Sequence, residues 1–129
     1  MGLILHEENA KLLLMNVQPL TPFPGAPRIP EQVTFEKAEL AKILTLYGRM
    51  VATGEWRDYD VSFLRDAAIF AIFMRTTDHP IYRIEKRPKL RHKHGMFAVI
   101  GMDGQILKRG HNLKSVLRVL ERKLIRAVN

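Results

Sequence analysis

Two changes of hydrophobic period constrain what this chain can fold into. Leu40, Ile43, Leu44, Tyr47, Met50 and Val51 recur at the i, i+3, i+4, i+7 spacing that puts side chains on one face of a helix. From Tyr59 the period drops to two, with Tyr59, Val61 and Phe63 alternating with Asp60 and Ser62, as a half-buried strand requires. The helical period returns at Leu113, Val116, Leu117, Leu120 and Leu124. A helix at each end of a run of strands is therefore expected.

Local signals place the boundaries. Thr34 reads as an N-cap with Glu36 in the first turn, and Gly54 as a C-terminal stop, giving a helix over about 35–52. Gly48 inside it costs about 1 kcal/mol relative to Ala, which points to a close approach to the sheet. Ala67–Met74 is apolar on both faces and reads as a central strand. In Ile81–Lys86, Tyr82 and Ile84 are expected inside, with Arg83, Glu85 and Arg87 in solvent. A loop with Pro88 and Gly95 follows. Met96–Gly101 and Ile106–Arg109 then flank Asp103-Gly104, the signal of a type I′ hairpin, and Asn112 caps a helix over 113–127. The expected fold class is α+β: an antiparallel sheet of about five strands, order α-β-β-β-β-β-α, with both helices on one face.

At 129 residues the chain fits one domain, placed at 33–129, and an apolar share of 47% over the whole chain supplies a core. Residues 1–32 form a separate head. Pro19, Pro22, Pro24, Pro27 and Pro30 make residues 16–32 an extended linker, because each fixes φ and removes a backbone donor. Ahead of it, Leu12, Leu13, Leu14 and Met15 suit a short helix or a sticky tail that docks on the domain or on a second copy. The first residues lack a basic leader and cleavage site, and no apolar run approaches the roughly 20 residues of a membrane span. With no cysteine, thiol catalysis and disulfides are excluded and the cytoplasm is the expected compartment.

Charge supplies the functional signal. From Arg83 to Arg126 there are thirteen Lys or Arg against three acids, a net +10, whereas residues 1–82 carry eight against ten. A field of one sign concentrates polyanions, so nucleic acid, an acidic membrane or an acidic protein is the leading partner class. One cluster, Arg83, Lys86, Arg87, Lys89, Arg91 and Lys93, occupies a strand end and loop; Lys108 and Arg109 extend it on the last strand. Another, Lys114, Arg118, Arg122 and Arg126, repeats every four residues as a slowly drifting ridge opposite the leucine stripe, although any amphipathic helix needs a solvated face. These twelve residues are the candidate nucleic-acid contacts.

Catalysis has no comparable signature. His92 and His94 sit in a basic loop that repels cations, with no carboxylate or cysteine beside them, so neither metal nor cofactor is expected. His111, beside the N-cap, suits a local hydrogen bond. Residues 55–60 are a helix-to-strand connection with Trp56 over the core edge and Arg57 in a local ion pair. No phosphate loop, nucleophile elbow or metalloprotease motif occurs. The chain reads as a non-enzymatic domain that binds a duplex or structured RNA; the alternative is a protein-interaction adaptor or homodimer.

The blocks VTFEKAELAKILTLYGRMVATGEWRDY, PIYRIEKRPKL and ILKRGHNLKSVLRVLERKL resemble the domain-of-unknown-function family 2794 of alphaproteobacteria. The likeness starts at Val33 and covers nearly all of the expected domain. It implies a bacterial, cytoplasmic protein and supplies no functional residues. In order of elements the chain is also similar to double-stranded-RNA-binding domains, α-β-β-β-α, but it has about two more strands, and its last helix opens on Asn112-Leu113-Lys114 where that family has a lysine-rich start.

Overall fold

A computed structural model describes residues 31–74 and 79–128, with side chains of the last helix described as far as Arg122. The elements are α1 (Lys37–Ala52), β1 (Asp58–Phe63), β2 (Ala68–Phe73), β3 (Tyr82–Lys86), a 3-10 turn (Pro88–Leu90), β4 (Phe97–Gly101), β5 (Ile106–Gly110) and α2 (Leu113–Val128). The five strands form one antiparallel meander in the order β1-β2-β3-β4-β5. The α+β class and the helix, five strands, helix order are those read from the periodicity. The head expected over 1–32 lies almost wholly outside the described residues; near the start of those residues Val33 N–H donates to Leu64 O at 2.7 Å.

Register explains where the core lies. Val61 pairs with Phe70, Phe70 with Ile84 and Ile84 with Val99, so one row of apolar side chains crosses four strands on a single face. Phe70, Ile84 and Val99 are fully buried there. Leu40, Ile43, Leu46 and Met50 of α1 and Leu113, Val116, Leu117 and Leu120 of α2 close over this face in one cluster. Burying each such side chain contributes about 1.5–3 kcal/mol. α2 lies over β4 and β5 and beside α1, while Tyr47 of α1 meets Tyr59 and Phe70 at centroid distances of 4.7 and 6.1 Å. Both helices start at the end of the sheet where Lys86 pairs with Phe97, so they run in the same direction.

Several local expectations are corrected. The N-cap is Glu36, not Thr34: Glu36 N–H donates to Glu39 Oε1 at 2.7 Å. The buried stripe of α1 is centred on Ile43, Leu46 and Met50, leaving Leu44 and Tyr47 half-buried and Val51 exposed, because α1 must face α2 as well as the sheet. Gly48 faces solvent with open space around it, so no approach to the sheet explains that glycine. In β2 only Ala68, Phe70 and Ile72 are fully buried; its other face is half-buried, and β2 is second from the edge of the sheet. In β3, Glu85 is buried at 6% exposure, not solvated.

The β4–β5 hairpin closes at Asp103-Gly104, but not as type I′. Among the described residues only glycines have positive φ, so Asp103 cannot be the left-handed first residue that turn needs. Gly104 N–H instead donates to Gly101 O at 3.0 Å, Gly101 N–H to Gln105 O at 2.8 Å, and Gly104 has φ +84°, a type I turn completed by a bulged glycine. The helix stops behave as expected. Gly54 (φ +80°) ends α1, its N–H bonded to Val51 O and that of Glu55 to Met50 O. Asn112 Oδ1 accepts from Ser115 N–H at 3.1 Å to start α2.

Because Gly48 has helical surroundings and room for a side chain, Gly48→Ala should stabilise the fold by up to about 1 kcal/mol in urea denaturation; destabilisation would mean a tight contact on that face.

Candidate functional site

The meander brings the β1–β2 turn, the β3–β4 loop, the end of β5 and the starts of both helices to one end of the molecule. Lys89 Nζ reaches Asp66 Oδ1 of the β1–β2 turn at 2.8 Å. On the other side, Arg109 Nη1 donates to Gly95 O at 3.4 Å, and a Cβ on Gly95 would overlap the Gly110 backbone, so loop and strand can meet only with glycine at this point.

This arrangement sorts the candidate cations. Lys86 does not join the surface: it is 7% exposed on the helix side of the sheet, its Nζ 2.7 Å from Glu39 Oε1 and 3.0 Å from Thr34 O. Residue alternation puts Lys86 on the same face as Ile84, and only a carboxylate from the first turn of α1 makes that tolerable. On the opposite face Arg87 Nε lies 3.0 Å and Arg83 Nε 3.7 Å from the two oxygens of the buried Glu85 carboxylate, so both are partly neutralised. Lys89 holds Asp66 below the usual carboxylate range, by its hydrogen bond first and its charge second. Both side chains are exposed, so this pair contributes little stability and leaves Lys89 accessible. Arg91 Nε donates to Pro88 O at 3.1 Å.

Lys93, Lys108, Lys114, Arg118 and Arg122 are exposed, with no hydrogen-bond or ion-pair partner among the described residues. Along α2, Lys114, Arg118 and Arg122 rise about 6 Å apart. The side chain of Arg126 lies outside the described residues. His92, His94 and His111 are exposed at the same end of the molecule.

Sequence reasoning missed the concave part of this surface. α1 and α2 leave a groove of about 330 Å³ between them, with Lys42, Thr45 and Arg49 on one wall, Lys114 and Glu121 on the other, and Ala41, Leu46 and Leu117 as its floor. Lys42, Thr45 and Arg49 are spaced i, i+3, i+7, a signal visible in the sequence, but only the packing of α2 against α1 joins them to Lys114. Three cations face one acid there, with no ion pair within 4.0 Å among the described residues.

The connection before β1 is core. Trp56 is buried between Tyr47 and Tyr82, centroids 6.1 and 6.2 Å away, and Tyr59 stacks on Phe70 at 4.7 Å. Arg57 is exposed, and the ion pair expected for it is not found among the described residues. Burial pushes the Tyr47 phenol up to about 12, with Asp58 and Tyr59 adding to the effect, and burial also raises Tyr59.

The family model described as a protein of unknown function (DUF2794) matches residues 33–117. The chain belongs to this family. No curated protein and no solved structure matches it. The DUF2794 match takes in α1, the whole sheet and the first turns of α2, so Lys42, Arg49 and Lys114 lie inside it while Arg118 and Arg122 lie beyond it.

Two measurements test these assignments. Glu39→Gln leaves the Lys86 charge buried without its counter-charge and should lower unfolding free energy by about 3 kcal/mol; a loss below about 1 kcal/mol would place Lys86 in solvent. The folded state holds the Tyr47 proton more tightly than the unfolded chain, whose phenol titrates near 10. That contribution is whole below about pH 10 and is lost as pH rises towards about 12. Tyr47→Phe should therefore flatten the fall of melting temperature across that window; an unchanged fall would assign it to other groups.

Proposed function

We propose that this protein is a non-enzymatic nucleic-acid-binding domain that grips the phosphate backbone of a duplex or structured RNA. One observation carries the reading: exposed cations of α1 and α2, unpartnered among the described residues, converge on the groove at Lys42, Arg49 and Lys114 and continue along Arg118 and Arg122. Lys93 lies at the end where both helices begin, and helix N-termini attract anions. Like charges held together without counter-charges repel, and a row of phosphates relieves that repulsion while releasing condensed counterions.

Recognition through backbone and shape suits this surface better than base stacking. Trp56, Tyr59, Phe70 and Phe97 are buried in the core, so these rings form no shelf for unpaired bases. The absence of cysteine supports work in a reducing compartment such as the cytoplasm.

The apolar floor formed by Ala41, Leu46 and Leu117 favours a second reading, an adaptor whose groove takes an acidic amphipathic helix. Salt dependence separates the two. Each phosphate contact adds about −0.9 to the slope of log affinity against log salt for duplex DNA. In fluorescence anisotropy, Lys42→Glu, Arg49→Glu and Lys114→Glu together should weaken binding to duplexes of any sequence and flatten the slope by about 3, with the fold intact by circular dichroism. No binding to duplex DNA or structured RNA at low salt, or an unchanged slope in the triple variant, would exclude the nucleic-acid reading and leave the adaptor.

A further inference from the structure

An antiparallel sheet covered by helices on one face ordinarily turns polar side chains to water on the other. Here β2 and β4 break that rule. Ile69, Ala71 and Phe73 of β2 and Ala98 and Ile100 of β4 alternate with the residues under the helices, so both strands are apolar on both sides. Ala98 and Ile100 are buried, yet they stand outside the cluster that α1 and α2 cover. Ile69, Ala71 and Phe73 are half-buried, and Ile106, the cross-strand partner of Ile100, is 56% exposed. These last four are the apolar area on this face still open to a partner.

We propose that this face is an interface with a second copy of the chain, packed sheet on sheet about a two-fold axis perpendicular to the strands. The register supplies the fit. Ser62, Ile69, Glu85, Ala98 and Arg109 form one cross-strand row, and Asp60, Ala71, Arg83, Ile100 and Ile106 form the next. An axis midway between them lays each row on the other row of the second copy. Large then meets small, Ile69 on Ala71 and Ile100 on Ala98, while Glu85 meets Arg83, Arg109 lies over Ile106 and Asp60 over Ser62. On the outer rows Asp58 falls on Leu64 and Arg87 on Ile81, so no charge of this face meets its like. An axis along the strands would instead set Arg83 on Arg83 and Glu85 on Glu85, so charge selects the first arrangement.

Area sets the strength. Five strands about 4.8 Å apart, rising about 3.4 Å per residue over five or six residues each, present roughly 400 Å² of flat area per copy. Two copies bury about 800 Å² by this measure, at the small end of specific interfaces, so the dimer is weak and reversible. Glu85 is already buried in the single copy, which keeps the further desolvation small. Both pairs of helices stay on the outside of such a sandwich, leaving the groove at Lys42, Arg49 and Lys114 open on each copy.

The test is sedimentation velocity on the full chain, freed of nucleic acid, from micromolar to millimolar protein. The weight-average mass should climb towards twice that of the chain. Ile106 is exposed in the single copy and faces Arg109 of the second, so opposite charges placed there should act in opposite senses. Ile106→Lys should weaken the dimer at least about tenfold, and Ile106→Glu should leave it within about threefold of the wild type. Ala71→Phe takes the space of the second copy's Ile69 and should abolish the dimer, with circular dichroism and melting temperature close to those of the wild type. A chain that stays monomeric throughout, equal effects of Ile106→Lys and Ile106→Glu, or a dimer indifferent to Ala71→Phe overturns the proposal. Growth beyond a dimer overturns it as well, since a two-fold contact closes on itself.

Discussion

The apolar face of the meander is the constraint on which the rest of this structure depends. Val61, Phe70, Ile84 and Val99 lie in register across four strands, and that row must be covered for the sheet to exist in water. Both helices are used on this one face. They start at the same end of the sheet, and Leu46 and Leu117 fill the base of the seam between them. A groove between the helices follows from covering a flat sheet with two cylinders, and the residues above that seam become its walls. The groove that carries the proposed function is thus a by-product of core packing, made useful by the cations placed at its rim.

The same geometry decides which charges are available. Lys86 shares the covered face with Ile84, so it has to be neutralised by Glu39 from the first turn of α1. That pair also ties the start of α1 to the end of β3. On the other face Glu85 sits between Arg83 and Arg87 and takes up part of their charge. Raw charge counts therefore overstate the field near β3 and understate it near α1, where Lys42 and Arg49 stand without partners among the described residues.

The two ends of the molecule differ in kind. One gathers loop cations and helix starts; the other exposes Met74 and Met102.

Much of the architecture was legible in the sequence because hydrophobic period depends only on backbone geometry, 3.6 residues per turn in α1 and α2 and two in β1. Turn and cap residues marked Gly54 and Asn112 correctly for the same local reason. Asp103-Gly104 located the hairpin but not its type, since the backbone of Met102 and Asp103 was settled by how β4 and β5 meet. The sequence also located the excess positive charge and the ridge Lys114, Arg118 and Arg122. Tertiary structure alone decided that Lys86 lies inside, that Gly48 faces solvent, and that Lys42 and Arg49 share a groove with Lys114. Burial, pairing and convergence are properties of elements packed against one another across dozens of residues, and no local pattern contains them.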